Sequence, residues 1–453
     1  MKDNNLVKKI NSDKAVKVFS RLYGENEVEA ARRRYLVLIS EILGEDFPEK
    51  DAENTKSSLR IFTSPGRTEL AGNHTDHNNG KVLAASVQLD IAAAVRERND
   101  NVVFIRSSGF PDVKVKLTDV NGEFDLRSKS EETGTTEALV RGIAAEFKRR
   151  GCNIGGFSAN AASTVHPGSG LSSSAAIESL IGRIFDSLFG GGKRSALEIA
   201  QIGQIAENIY FGKPCGLMDQ TACAAGGAVA IDFANPVAPI VNRINFDLAA
   251  VRYTLCVVNT GGSHADLTAD YASIPSEMKS TAKFFGKSVL REIDKETLIS
   301  RAAEARKALG DRALLRSLHF FDENARVDAM AKALLEMDNA DISAEKKLAF
   351  YRYLKLADES GDSSWELLQN VYSPNKPASQ NIATALALTK DFLSRQTFRG
   401  ACRVHGGGFA GTIQVYIPLN ALDAYKDCIE AVFGKGSVTP LWIRPTGAVE
   451  LEF

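Results

Sequence analysis

The chain carries no paired-cysteine motif, no long apolar run and almost no net charge, and each absence excludes a class of protein. Its six cysteines, Cys152, Cys215, Cys223, Cys256, Cys402 and Cys428, include no C-x-x-C spacing. Zinc-ribbon and thioredoxin-like readings therefore lack support. Charge or Gln breaks every apolar stretch well before the 18 residues a membrane span needs. Met1-Lys2-Asp3-Asn4-Asn5 leads into no apolar signal region. Unpaired thiols without a signal point to the cytoplasm. Lys and Arg total 55 against 56 Asp and Glu, so no polyanion partner is indicated. The Arg32-Arg33-Arg34 run reads as the solvated side of a helix backed by Tyr35, Leu36, Leu38 and Ile39. The expectation is a monomer that binds neither nucleic acid nor membrane.

What is present is ordinary for a globular protein: 453 residues, 44% hydrophobic and 25% charged, enough for two or three domains. A helical N-terminal stretch leads to a strand at 59–63 that runs into Pro65-Gly66. Residues 82–95 read as one or two buried strands, and 102–105 and 113–117 as short ones. Leu139, Ile143 and Phe147 repeat at helical spacing before Gly151. A strand at 157–165, a glycine-serine loop and a helix over 171–188 follow. A second helix spans 195–210, with Leu197, Ile199, Ile202, Ile205 and Ile209 as its apolar side. A strand at 228–233 precedes the Pro-bearing stretch Pro236 to Pro239, which divides the chain into 1–238 and 239–453. The second half reads as a strand at 253–259, several helices, strands at 402–405 and 412–417, a helix at 422–433 and a final strand pair at 441–444 and 448–453.

The strongest local signal is Pro167-Gly168-Ser169-Gly170-Leu171-Ser172-Ser173-Ser174, between a strand and a helix. Glycines let backbone approach a phosphate, and a helix start offers free N–H groups and a positive dipole end. Serine hydroxyls there can donate to phosphate or ligate Mg²⁺. A serine-capped helix start is the plain alternative. The G-K-S of Gly286-Lys287-Ser288 is no Walker loop, because Thr281 stands where its first glycine belongs.

Three further segments carry chemistry. Gly406-Gly407-Gly408-Phe409-Ala410-Gly411 joins two strands and suits a backbone packed against a ligand or the phosphate loop. Residues 64–80 are dense in polar groups; Asp76 can accept from adjacent sugar hydroxyls, and Arg67 supplies fixed positive charge. A metal set of His74, Asp76 and His77 is disfavoured by its crowding in sequence. Asp219, among Leu217, Met218, Cys223 and alanines, needs a partner to be buried. It reads as a helix cap or as a base paired with an arginine.

Together these segments resemble the galactokinase family, within the GHMP superfamily of small-molecule kinases that also holds homoserine, mevalonate and phosphomevalonate kinases. Gly66 to Gly80 resembles G-R-x-N-L-I-G-E-H-T-D-Y-N-x-G, Pro167 to Ala175 resembles P-x-x-x-G-L-S-S-S-A with one residue fewer between Pro and Gly, Cys215 to Gln220 matches C-G-I-M-D-Q, and Gly406 to Gly411 resembles G-A-G-F-G-G. The resemblance implies an α+β fold of two domains. The N-terminal one would be ribosomal-protein-S5-like and the C-terminal one ferredoxin-like, with the site between them. It implies ATP-dependent phosphorylation of the anomeric hydroxyl of galactose or a similar sugar. Asp219 would be the base and Arg67 its partner. Residues 167–174 would hold ATP, and Ser174 and Glu207 would hold Mg²⁺. Asn73, His74, Asp76, Gly216 and Tyr271 fall at sugar-contact positions.

The chain departs from that pattern at Asn73, where the family carries a Glu on the C6 hydroxyl, and at Glu69, where it carries Asn. His77 replaces a Tyr, and arginines usual after Tyr271 are missing. Galacturonate or an amino sugar is therefore an alternative substrate. A non-catalytic sugar sensor is another, but family sensors have damaged serine loops, and this one is whole.

Overall fold

The polar segment after Pro65-Gly66 is strand rather than loop. The computed structural model describes residues 2–47, 58–166, 169–262 and 267–453. In it β1 (Arg60–Ala71) continues through Pro65 and Gly66, which corrects the expected stop there. Its register against β2 (Lys81–Glu97) shifts between Pro65 and Arg67. A residue lacking an N–H is tolerated at such a break.

The remaining strands are β3 (Val102–Ser107), β4 (Val113–Lys116), β5 (Phe157–Ser163), β6 (Ala228–Asp232), β7 (Ile240–Ile244), β8 (Tyr253–Asn259), β9 (Ala401–His405), β10 (Thr412–Pro418), β11 (Val438–Leu441) and β12 (Val449–Leu451). The first sheet has the order β12-β1-β2-β5-β3-β4, with β6 on β2 and β7 on β6. The expected one or two strands near 82–95 are a single 17-residue strand. Its length lets it pair β6 over 81–85 and β5 over 91–97 while β1 lies along its other edge.

The second sheet has the order β11-β8-β10-β9 and is antiparallel. Helices separate β8 from β9, and the helix Leu422–Phe433 separates β10 from β11. This is the split β-α-β-β-α-β arrangement expected of a ferredoxin-like half. The last two strands do not pair with each other: β11 closes the second sheet, whereas β12 returns to β1 in the first.

Helices bury the sheet faces. Thr136–Arg149, Ser173–Phe189, Ala196–Ile205 and Met218–Ala225 cover one face of the first sheet, where Phe62, Phe157 and Phe185 are fully buried. Each such side chain contributes about 1.5–3 kcal/mol. Asp13–Tyr23 and Val28–Leu43 cover the other face. Asp311–Asn339 and Ser343–Ser363 fill the joint between the sheets, against Leu83, Val87, Leu255 and Tyr416. Polar contacts also cross the joint: Thr68 Oγ1 meets His405 Nε2 at 3.0 Å and accepts from Gln414 Nε2 at 2.8 Å. Among the described residues no helix is long and apolar enough to cross a membrane.

Candidate active site

Arg67, on β1, and Asp219, in the first turn of Met218–Ala225, meet as a two-point ion pair. Arg67 Nε donates to Oδ1 and Nη2 to Oδ2, both at 2.8 Å. The third guanidinium nitrogen, Nη1, donates to Gly170 O at 2.5 Å, and Arg67 N donates to Leu171 O at 3.0 Å. Ser172 Oγ donates to Asp219 Oδ2. Burial pushes the Asp219 carboxyl up, but Arg67 and Ser172 outweigh it and hold the group below its usual range. Asp219 is thus no helix cap.

The Gly170–Ser172 segment of the glycine-serine loop closes over this pair. Pro167 and Gly168 lie outside the described residues. Ser169 Oγ donates to His166 O at 2.6 Å. Gly170 has φ 74°, and a Cβ on it would sit 2.7 Å from Thr412 Oγ1 and 3.0 Å from His405 Nδ1. The glycine segment and its flanking strands β9 and β10 therefore pack against the loop. Ser172 turns its hydroxyl to Asp219 and gives the 17-residue helix Ser173–Phe189 no side-chain cap. The N–H groups around Ser173 and Ser174 stay available to an anion.

A cavity of about 210 Å³ opens beside the pair. Arg67, Asp219, Asn73, His74, Asp76 and Gly216 line it, together with Glu69, His77, Cys215 and Gly406. His74 Nε2 donates to Gly407 O at 2.9 Å, and burial lowers its pKa to about 4, so the ring is neutral at neutral pH. The Asp76 carboxylate lies directly on Gly216, where any Cβ would overlap Oδ2. Tyr271 stands behind the glycine turn, donating through its hydroxyl to Gly408 O at 2.8 Å, and does not line the cavity.

Glu207 falls on a π turn. The helix expected over 195–210 begins with the Ser195–Glu198 capping box, stays α over Ala196–Ile205 and widens over Ala206–Phe211. The inserted residue rotates Ile209 outward, to 63% exposure, and Glu207 inward, to 2%. Glu207 Oε1 accepts from Lys213 Nζ at 3.1 Å and Oε2 from Gln220 Nε2 at 2.8 Å. The same amide nitrogen donates to Glu178 Oε2 at 3.0 Å. Glu178 lies one helical turn after Ser174, so Gln220 ties Glu207 to the start of that helix. Among the described residues Glu178 Oε1 is buried without a partner. Burial, then the neighbouring Glu207, raises Glu178 well above the usual carboxylate range. The Ser174 hydroxyl, one helical turn before Glu178, and the Glu207 carboxylate are hard oxygen donors of the kind that suit Mg²⁺. Glu178 and Lys213 went unmarked by sequence reasoning, and Gln220 entered it only as the last residue of the Cys215–Gln220 motif. Glu178 had a signal, a carboxylate at i+4 from Ser174 among the apolar residues Ala175, Ala176, Ile177, Leu180 and Ile181.

An uncapped helix start beside an arginine–carboxylate pair, on a large mixed sheet joined to a split ferredoxin-like half, is the arrangement expected of the GHMP class of small-molecule kinases. The family model "GHMP kinases N terminal domain" matches residues 138–227, and "Galactokinase galactose-binding signature" matches 49–97. The chain is 30% identical over 378 residues to the galactokinase of Streptomyces coelicolor, spanning 82% of this chain and 88% of that protein. It is 29% identical over 386 residues to the galactokinase of Glaesserella parasuis, spanning 84% and 90%. The chain belongs to the galactokinase family. Among solved structures, Lactococcus lactis galactokinase complexed with galactose matches with TM-score 0.70 at 22% identity, covering 97% of this chain and 99% of that one. Methanococcus jannaschii mevalonate kinase matches with TM-score 0.56 at 13% identity, covering 86% and 99%. These two likenesses carry the fold.

Proposed function

We propose that this protein transfers the γ-phosphate of ATP to the anomeric hydroxyl of galactose or a closely galactose-like sugar, giving the sugar 1-phosphate. The observation that carries the reading is the Arg67–Asp219 pair, which faces a sugar-sized cavity and is hydrogen-bonded to the Gly170–Ser172 loop. The relatives named above are galactokinases, and one was solved with galactose.

On this reading the sugar lies in the cavity against His74, Asp76 and the bare backbone of Gly216, with Tyr271 buttressing the wall formed by Gly407. Its reacting hydroxyl sits at Asp219. That carboxylate stays ionised over the working pH range and takes the hydroxyl proton as the new O–P bond forms. Arg67 orients Asp219 and offsets charge on the transferring phosphoryl group. Backbone N–H groups at the start of Ser173–Phe189 and the serines of 169–174 hold the ATP phosphates. Ser174 and Glu207 would hold Mg²⁺, which neutralises charge on the β- and γ-phosphates when bound. Residues 1–238 supply most of this machinery, and 239–453 supply Tyr271 and the glycine wall. The chain works as a monomer in the cytoplasm, with ATP and the sugar as its partners.

The test is purified protein with ATP, Mg²⁺ and galactose, the product read by phosphorus NMR. A sugar 1-phosphate resonance is expected, and no product from any galactose-like sugar would refute the reading. Asp219→Asn is expected to lower kcat roughly 10²- to 10⁴-fold with sugar affinity largely kept. Near-normal turnover in that variant would remove Asp219 from the mechanism.

A further inference from the structure

The family pattern draws attention to Asn73, but in this protein that side chain is already occupied. Its Nδ2 donates to Glu69 Oε1 at 3.0 Å and to Gly406 O at 2.5 Å. Its Oδ1 accepts from Asn370 Nδ2 at 2.6 Å, and the residue is 0% exposed. An amide with both hydrogens engaged has none left for a ligand.

Glu69 is in the opposite condition. Oε1 is fixed by Asn73 and by Arg403 Nη2 at 2.9 Å. Among the described residues no donor reaches Oε2, yet that atom is not among the sealed, partnerless ones. Glu69 lines the cavity and keeps 4% exposure. Two residues beyond Arg67 on β1, it lies on the same strand face, ~6.7 Å further along. That offset is about the reach of a pyranose ring from its reacting oxygen to its far hydroxyls. Arg403, 0% exposed and also bonded to Glu69 O at 3.2 Å, is too deep to meet the ligand itself.

We propose that Glu69, clamped by Arg403 and Asn73, is the specificity-determining acceptor for a sugar hydroxyl remote from the transferred phosphate, and that it bars sugars carrying a carboxylate at that end. A second carboxylate there would face Oε2 in a poorly solvated corner whose arginine is already paired, and like charges so placed repel. The neutral galactose class is therefore favoured over galacturonate. This inference rests on the sugar-kinase reading above.

The experiment measures turnover of galactose, 4-deoxygalactose, 6-deoxygalactose and galacturonate by the wild type and by Glu69→Gln. Loss of a hydrogen bond to a charged group is worth roughly a ten- to hundredfold change in KM. That rise is expected for galactose in Glu69→Gln, with kcat changed far less. One deoxy sugar should show the same rise in the wild type and little further rise in the variant, which identifies the hydroxyl. Use of galacturonate relative to galactose should increase in the variant. An unmoved galactose KM in Glu69→Gln would overturn the proposal while leaving the kinase reading intact. If the variant does not fold, the wild-type series decides alone: deoxy sugars that both behave like galactose overturn the proposal. Turnover of none of the sugars would overturn the parent reading and this one with it.

Discussion

Arg67 uses all three guanidinium nitrogens inside the protein, two on Asp219 and one on Gly170 O. The fork thus fixes the carboxylate and the phosphate loop in one geometry, which a lysine ammonium cannot reproduce. Arg67→Lys keeps the charge and loses the fork. Its kcat is expected to fall on the order of 10²-fold, with the KM for sugar nearly unchanged. The sign of the pH effect follows from Asp219. Its pKa is depressed in the folded protein, so activity that needs the ionised form is lost as pH falls through that depressed value. Weakening the pair lets the pKa climb, and the acid limb of the kcat profile should move to higher pH. A variant whose limb stays in place would mean that Arg67 does not set the ionisation of Asp219. Both residues were legible in the sequence because each sits in a short motif. Arg403 and Asn370 were not, since they reach Glu69 and Asn73 across 334 and 297 positions of chain. Their pairing exists only once the two sheets have met.

The loop and helix at 169–189 act as one element, and Gly170 is its tightest point. Its φ of 74° is costly for a side-chain-bearing residue, and a Cβ would press on Thr412 and His405. Gly170→Ala is expected to cost roughly 1–3 kcal/mol of stability and to raise the KM for ATP more than that for sugar. Denaturant unfolding and initial-rate kinetics check both. An unchanged ATP KM would separate the loop from nucleotide binding. Sequence reading located this element because glycine and serine carry turn and helix-start chemistry wherever they fall. It misplaced the end of β1, since Pro65-Gly66 looks like a terminator when the pairing strand is unknown. It also carried one helical period through to Tyr210. Local sequence gives no sign of an inserted π residue, and only the exposed Ile209 and buried Glu207 reveal the change of phase.

For the molecule as a whole, the joint between the sheets holds neutral histidines. His405 on β9 bridges Thr68 on β1 and Thr412 on β10, at 3.0 and 2.9 Å. His319 ties the long helix Asp311–Asn339 to Asn73 O at 3.0 Å and to Ser363 Oγ at 2.8 Å. These contacts, and the return of β12 to the first sheet, depend on residues brought together from both halves, so hydrophobic periodicity could not foretell them. Burial, followed by the nearby Arg67 and Arg403, lowers His405 to about 3. The unfolded chain then binds a proton near pH 6.5 that the folded one refuses. Stability from this residue is therefore complete above that value and is lost as pH falls below it. Between pH 7 and pH 5 the loss is about 2 kcal/mol. Glu178 and Asp358, the latter raised to about 6 by burial, act in the opposite sense over this range. The total pH curve is accordingly not diagnostic, whereas its difference from a variant is. His405→Gln can keep a hydrogen bond at the joint without titrating. Denaturant unfolding at pH 7 and pH 5 should show the wild type losing about 2 kcal/mol more than the variant. Equal losses would mean that His405 accepts its proton within the fold, and that acid does not weaken the joint through this ring.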